Sequence, residues 1–387
     1  VNSLSTLDDN SIPIQGPQGT QVQLLPLFAL TARDVSNWRR LARRALAPNP
    51  FVEPEFVLPL VRSGIVSSDS LLVIVEDRTT SNWIAAGVFH SLPSTPQQPL
   101  RRLAALRSPY TFLDQPLFDA DTGHRAAHAL LYIFAQQRQW HGMRFQGQPA
   151  DSPAVSLLEG ESGRAGVTPV RDHIWSRAAV RLNDVSRDRL LSRCSRSRRK
   201  SLRRCRNAAD RSGGMSFRIV WPTPDDLRPV ATFLRLEAMG WKGRAGTALA
   251  SHPGHQRFFG EMVRDFACRR AVCFGELTLG SEIIASSCNL VGGNTLFAFK
   301  IGWNPDCARF APGYWAEIEL AHALAETEPA LRLIDSCSAP GSYTESVWPD
   351  RRDMITSVFV WSRRARMLCA ARQYVRRARR QEIPLAS

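Results

Sequence analysis

A lysine stands in the middle of an apolar, strand-like run, "TLFAFKIGW" at 295–303. An ammonium among Phe297, Phe299 and Ile301 is costly unless it is paired or opens on a cleft. Strict alternation puts Lys300 on one face with Ala298 and Gly302, and Phe299 and Ile301 on the other. Such a lysine can polarise a carbonyl or hold a substrate anion; the plainer alternative is solvation at a sheet edge. Asp335 ends a second strand-like run, "LIDSC". A carboxylate at a strand end can be a counter-ion or base for an amine, or merely cap a turn.

Glu237 lies on a helical stretch that breaks at "GWKGRAGT", 240–247. Gly240, Gly243 and Gly246 keep this segment tight, and Lys242 and Arg244 suit an anion such as a carboxylate or phosphate. Trp241 offers a face for stacking or a plug for an interface. Glu237 can pair with Lys242 or receive an amine. The stretch is no Walker loop, because no strand feeds it and G-x-x-x-x-G-K-[ST] is absent. The segment "RFAPGYW", 309–315, opens another helix. Gly313 permits close backbone approach there, Arg309 can bond a phosphate, and Pro312 removes one donor. A simple helix-initiating turn is the alternative.

Cys288 and Cys337 invite a nucleophilic reading, but no histidine stands convincingly beside either, so buried structural thiols are expected. His124 and His128 are four apart on a helix without further ligands in view, and no metal is predicted. His252 and His255 flank a turn and can contact a substrate.

The 387 residues exceed what one core usually serves, so two domains are expected. The net charge of +15 favours phosphate-rich or anionic partners. It is concentrated in "RCSRSRRKSLRRCR", 193–206, and "RRARMLCAARQYVRRARR", 363–380, each with eight basic side chains. These read as solvated helices, with phosphate or tRNA contact as the alternative and a targeting signal the least favoured. The eight cysteines are scattered without a C-x-x-C pair, which suits a reducing compartment. The N-terminal stretch has neither the basic start nor the apolar run of a signal peptide, and no membrane-length apolar window follows. A cytoplasmic protein without a membrane span is expected; the oligomeric state is open.

The elements that must position these residues recur in one order. Residues 1–20 read as a disordered polar tail. Next come a strand at 22–30, a Thr-capped helix at 31–46, a short helix after Pro54 and the hairpin "LLVIVED"/"WIAAGVFHSL". A strand at 110–118 and a helix at 122–140 follow. The second half runs strand 215–221, a helix from Thr223 and Pro224, the helix "HPGHQRFFGEMVRDFACRR", and three strands turning at Gly280 and Gly292–Gly293–Asn294. Helix 311–326 and strand 331–337 complete it. Strand, helices, three-strand meander, helix, strand thus appears twice, an α+β architecture with a boundary near 210 in "NAADRSGG".

This order resembles that of the GNAT (GCN5-related N-acetyltransferase) fold. "FLRLEAMGWKGRAGTAL", "FAFKIGWNPDCARFAPGYW" and "LIDSC" resemble the BioF2-like, or CelD-like, bacterial acetyltransferases, relatives of the FemAB-type transferases with two GNAT-like domains. The resemblance covers most of 22–355, including "NPFVEPEFVLPL" and "YTFLDQPL", and the basic run matches the family's helix ahead of the second domain. It implies tandem GNAT-like domains with the first degenerate: tail 1–20, first domain 21–210 ending in the basic helix, catalytic domain 211–360, and a basic C-terminal helix and tail 361–387. It implies an N-acyltransferase in which an amine attacks the thioester of acetyl-CoA or another acyl-CoA directly. Lys300 and Ile301 on the fourth strand, with Arg309, Ala311, Gly313 and Tyr314 of the phosphate loop, would hold the coenzyme. The single glycine of that loop departs from the usual Q/R-x-x-G-x-G/A. Glu237, Lys300 and Asp335 would serve catalysis, and Trp241, Lys242 and Arg244 a small amine acceptor. A FemAB-like use of aminoacyl-tRNA through the basic helices, and a non-enzymatic part in exopolysaccharide production, are the alternatives.

Overall fold

The computed structural model describes residues 13–66, 70–96, 98–183 and 185–381, with side chains to 372. The chain forms two compact units. The first holds residues 1–54, 66–175 and 353–387, and the second 55–65 and 176–352. The chain thus passes between units at four places, where the sequence suggested one boundary near 210. The basic helix before that point belongs to the second unit because Leu202 and Ala209 on its inner face are buried in the same cluster as Phe310 and Trp315.

The first unit begins with strand β1 (Ile14–Gln15) paired antiparallel to β2 (Thr20–Pro26). The expected disordered tail therefore differs over 13–20, and residues 1–12 lie outside the described residues. The hairpin is held from outside, since the Arg125 guanidinium donates to the Gln18 carbonyl at 2.6 Å. Helix α1 (Ala32–Arg43) starts at a capping box in which Thr31 and Asp34 satisfy each other's amides, and it buries Trp38, Leu41 and Ala42. Helix α2 (Pro54–Arg62) begins on a proline and lies almost wholly in the second unit. Strands β3 (Leu71–Asp77) and β4 (Trp83–Leu92) form the expected hairpin. Strand β5 (Arg102–Ala105) follows, then β6 (Leu117–Phe118). Of the strand expected at 110–118, only the last two residues pair, with β4. The preceding loop is held by a side chain instead, Asn49 Nδ2 donating to the Gln115 carbonyl at 2.8 Å. Helix α3 (Gly123–Gln136), strand β7 (Gly142–Pro149), helix α4 (Pro153–Ser162) and strand β8 (Thr168–Arg181) complete this half.

In the second half, α5 (Arg187–Arg193) and the basic α6 (Arg196–Asp210) precede β9 (Met215–Val220). Helix α7 (Arg228–Met239) starts later than Thr223 suggested, after a turn closed by Asp226 Oδ1, which accepts from the Arg228 amide. The four-residue α8 (Trp241–Arg244) occupies the glycine-rich break, and α9 (Pro253–Ala267) follows. The meander is β10 (Val272–Leu279), β11 (Glu282–Gly292) and β12 (Thr295–Trp303), turning at Gly280 (φ 58°) and Gly293 (φ 58°). Then come α10 (Pro312–Thr327), β13 (Leu333–Asp335), β14 (Asp350–Val360) and α11 (Arg363–Gln381). The tail beyond α11 lies outside the described residues.

Strands of the first unit pair in the order β1, β2, β3, β4, β5, β7, β14, and those of the second in the order β8 (its part from Ser176), β13, β12, β11, β10, β9. Each unit has one parallel pair reached across a helix: β5 with β7 across α3, and β12 with β13 across α10. That shared step is the structural form of the repeat.

Strand β12 is irregular. Against β11, Cys288 faces Lys300 but Asn289 faces Ala298, so Phe299 is the extra residue of a β-bulge. The bulge cancels the alternation expected for this strand. Phe299 stacks on Phe259 at 6.4 Å and meets Phe56 edge-on, Lys300 reaches Glu237 of α7, and Gly302 abuts α7. Ala298, Ile301 and Trp303 pack on the opposite side with Trp315 of α10. Lys300 therefore shares its face with Phe299 and Gly302, not with Ala298.

Helix α7 lies so close that a Cβ at Gly302 would stand 2.5 Å from the Glu237 nitrogen and 2.8 Å from its Cα. Gly302→Ala is expected to lower stability by about 1–3 kcal/mol through overpacking. Urea denaturation of the variant measures this, and an unchanged midpoint would show that α7 can retreat freely.

Candidate active site

The second unit gathers three of the expected residues around one carboxylate. Glu237 is 2% exposed. Its Oε1 accepts from Lys242 Nζ at 3.3 Å and lies 3.5 Å from Lys300 Nζ, and its Oε2 accepts from the Leu249 amide at 2.9 Å. Lys242 also donates to the Ile301 carbonyl at 3.3 Å, which ties the glycine-rich break to β12. Gly243 makes this possible, since a Cβ there would fall 1.8 Å from the Ala238 carbonyl oxygen. Burial pushes the Lys300 ammonium below its usual range, against the opposing pull of Glu237. His255 is likewise held low, by burial and by His252 and Lys300. Trp241 is 63% exposed and Arg244 is exposed beside it, so neither belongs to the buried cluster.

Beyond the bulge the sheet opens. Strand β12 pairs with β13 over Thr295–Phe297 only, while its stretch from Ala298 to Trp303 continues past the three residues of β13. It leads into a 3-10 turn (Pro305–Phe310) capped by Asn304, and then into α10. Ala311, at φ 53° and ψ 50°, makes the sharp turn between them. No described side chain caps α10. Gly313 lies against Trp303, Tyr314 carries the Arg198 guanidinium over its ring at 4.6 Å, and exposed Arg309 folds over Phe310.

Ahead of α3 in the first unit Asp119 closes the turn at Asp121 and Thr122, and α3 itself also begins without a side-chain cap. Asp119 Oδ1 accepts from the Asp121 amide, the Thr122 amide and the Thr122 hydroxyl at 2.8–3.1 Å.

Asp335 stands elsewhere than the sequence suggested. It is fully buried, with Oδ1 2.6 Å from Arg177 Nε, Oδ2 accepting from Arg177 and Arg352, and the Cys337 amide bonded to Oδ1. Burial alone would raise its pKa, but the two guanidiniums outweigh it and hold the carboxyl below the usual range. These are the contacts of a structural counter-ion, not of a group facing a cleft. Burial pushes the thiols of Cys288 and Cys337 upward, so neither is primed as a thiolate.

Residues 196–340 match the family model of the acetyltransferase (GNAT) domain. The match lies within the second unit and covers less than half of the chain. No curated protein matches the chain by sequence. Among solved structures, it is similar to FemX, with 9% identity and a TM-score of 0.52 over 84% of this chain and 95% of that one. A conserved protein of unknown function from Bacteroides thetaiotaomicron gives 12% identity and a TM-score of 0.52, over 85% and 97% of the two chains. The C-terminal DUF2156 domain of an Agrobacterium fabrum protein gives 12% and 0.50, over 89% and 96%. Identities this low speak to the fold: α+β, with tandem GNAT-like units. The GNAT domain supports acyltransferase chemistry in the second unit.

Sequence reasoning missed one pair in this GNAT-like unit. Glu317, on the second turn of α10, is 3% exposed and accepts from the Tyr343 hydroxyl at 2.8 Å. Its other oxygen is buried without a partner. Burial raises its pKa to about 7, with the Tyr343 bond pulling the other way. The signal was two acids in the apolar run "YWAEIELAHALA", of which Glu319 is bound by Arg187 and Arg206 and Glu317 by no cation among the described residues.

Two stability predictions follow from these carboxyls. Asp335→Ala leaves Arg177 buried beside a vacancy and should cost about 3–5 kcal/mol in urea unfolding. Between pH 4.5 and about 7, folded Glu317 keeps a proton that the unfolded chain has released. Wild-type stability should therefore fall as pH rises through that window, by about 3 kcal/mol at most. Glu317→Gln should remove that slope, which parallel pH series of thermal melts would show.

Proposed function

We propose that the second unit is an N-acyltransferase, moving an acyl group from acetyl-CoA or another acyl-CoA to a small amine, in the manner of the BioF2-like or CelD-like enzymes. The observation that carries this reading is the parting of β12 from β13 beyond Phe297. A thioester arm can lie along the exposed edge of β12 and bond its backbone, while the uncapped end of α10, with Arg309, receives the pyrophosphate. Ile301, Ala311, Gly313 and Tyr314 would line that track. The match of residues 196–340 to the GNAT domain supports assigning the donor to the second unit.

The acceptor would approach from the α7 side of β12. There Lys300, its proton affinity lowered by burial, takes the proton that the attacking amine must lose. Glu237 fixes Lys300 and Lys242 through one shared oxygen. Trp241 and Arg244 form the outer rim that contacts the acceptor. The amine attacks the carbonyl carbon, a tetrahedral intermediate forms, and collapse expels the thiolate. Asp335 holds β13 in place and takes no part.

One observation favours a second reading, in which the donor is an aminoacyl-tRNA. Helix α6 exposes Arg196, Lys200, Arg203 and Arg204 and lays Arg198 over Tyr314, a basic face suited to a longer phosphate backbone.

Thermal-shift titration with acetyl-CoA, longer acyl-CoAs and free CoA tests the donor. A ligand bound only by the native state must raise the melting temperature. No shift at millimolar concentration would discard the coenzyme reading, and RNA binding that weakens steeply with salt would favour the alternative. With a donor in hand, Lys300→Met should lower kcat by about 100-fold or more while the protein stays folded. A wild-type rate would make Lys300 structural.

A further inference from the structure

One cavity of the second unit is lined by residues that the acyltransfer reading does not use. It measures about 210 Å³ and lies between the end of β8, helix α5 and the start of β14. All of its lining residues fall within 176–352. Three guanidiniums line it, those of Arg181, Arg189 and Arg193, with one carboxylate, Asp350, and the amide of Asn183. Val180, Leu190 and Pro349 supply apolar surface, and the first two of these are buried in the same core as Trp315. None of these residues belongs to the proposed track along β12 or to the Glu237 cluster.

Local structure brings the charges together. Arg189 and Arg193 are four residues apart on α5, so they project from one face of the helix. Like charges at that spacing repel. Arg193 is exposed and has no hydrogen bond or ion pair among the described residues. Arg181 ends β8 opposite Leu333, at the start of β13, whereas the sheet opens beyond Phe297 and Asp335 at the other end. Asp350 fixes this corner. Its Oδ2 accepts from the Arg181 amide at 2.7 Å, and its Oδ1 lies 4.0 Å from Arg181 Nη1. The carboxylate is therefore held by backbone, while the Arg181 guanidinium sits at the limit of an ion pair and can turn to another anion.

We infer that this cavity binds a small phosphate monoester, with the phosphate against Arg189 and Arg193 and the hydroxyls of the ester at Asp350 and Asn183. The inference is independent of the acyltransfer reading. Guanidinium forks match phosphate oxygens in pairs of parallel bonds. Two forks come from the α5 wall and a third from the end of β8, so a dianion between them offsets the repulsion along α5. Asp350 repels a second anion and accepts from hydroxyl groups, which favours an ester over bare phosphate and over a nucleic-acid strand with its next phosphate close by. At about 30 Å³ per water the cavity holds the equivalent of about seven waters, a size that suits a phosphorylated body of roughly three to six carbons. Val180, Leu190 and Pro349 give that body an apolar wall.

Calorimetric titration of the full chain with glycerol-3-phosphate, glucose-6-phosphate, inorganic phosphate and glucose tests the site. At least one ester should bind at millimolar concentration or below, inorganic phosphate more weakly, and glucose not at all. Arg193→Gln alters an exposed side chain and should leave the melting temperature unchanged while weakening the ester about 10-fold or more. Asp350→Asn can still accept from the Arg181 amide, and should bring ester and inorganic phosphate to within about threefold of each other. Acetyl-CoA, titrated in parallel, should be bound no differently by Arg193→Gln than by wild type. Binding of neither ester, or equal ester binding by wild type and Arg193→Gln, would overturn the site. So would a matching loss of acetyl-CoA affinity in Arg193→Gln, which would make the cavity part of the coenzyme track, or binding of RNA without either ester. Failure of wild type to bind acetyl-CoA would count against the acyltransfer reading alone, since the ester titrations are read separately.

Discussion

The second unit depends on the bulge at Phe299. A regular strand would send Phe299 and Lys300 to opposite faces. With one residue inserted, both turn toward α7 and α9, where the phenyl ring joins the packing of Phe56 and Phe259 and the ammonium meets Glu237. The same irregularity lies just past the last residues that β12 shares with β13. One inserted residue therefore sets a buried charge on one side of the strand beside an opened sheet.

Close approach is what makes that charge tolerable. Gly302 lets the α7 backbone come down on β12, and Gly243 lets α8 fold back under α7. The Glu237 carboxylate thereby reaches two ammonium groups and one amide. A buried ion group of this kind adds little net stability, because desolvation consumes most of the Coulombic gain. Its donors come from α8, from the Leu249 turn and from β12, so it ties those three segments together. The Asp335 group with Arg177 and Arg352 is the contrasting case, closed on all sides and serving to anchor a three-residue strand.

The two units share one topology, each crossing from a meander to a parallel strand through a helix. Both helices begin without a side-chain cap. The turns ahead of them differ: Asp119 closes the one before α3, and Ala311, left-handed at φ 53°, makes the one before α10.

Much of this was legible in the residues. The Thr31 cap, the hairpin turns at Gly280 and Gly293, the order of elements repeated across both halves and the isolated Lys300 all follow from short-range rules, since capping, glycine conformation and apolar periodicity act within a few residues. The segment "FAFKIGWNPDCARFAPGYW" falls within the part of the chain that matches the GNAT domain. What the sequence could not determine depended on distant partners. The bulge moved Lys300 to another face because its register is fixed by β11, not by its own alternation. Asp335 was closed by Arg177 and Arg352, which lie 158 and 17 residues away along the chain. Glu317 became a buried acid because Tyr343, 26 residues on, folds over it with no cation nearby. Residue type and spacing fix local geometry and chemical capability; only tertiary packing decides which charges meet, and so which of those capabilities are used.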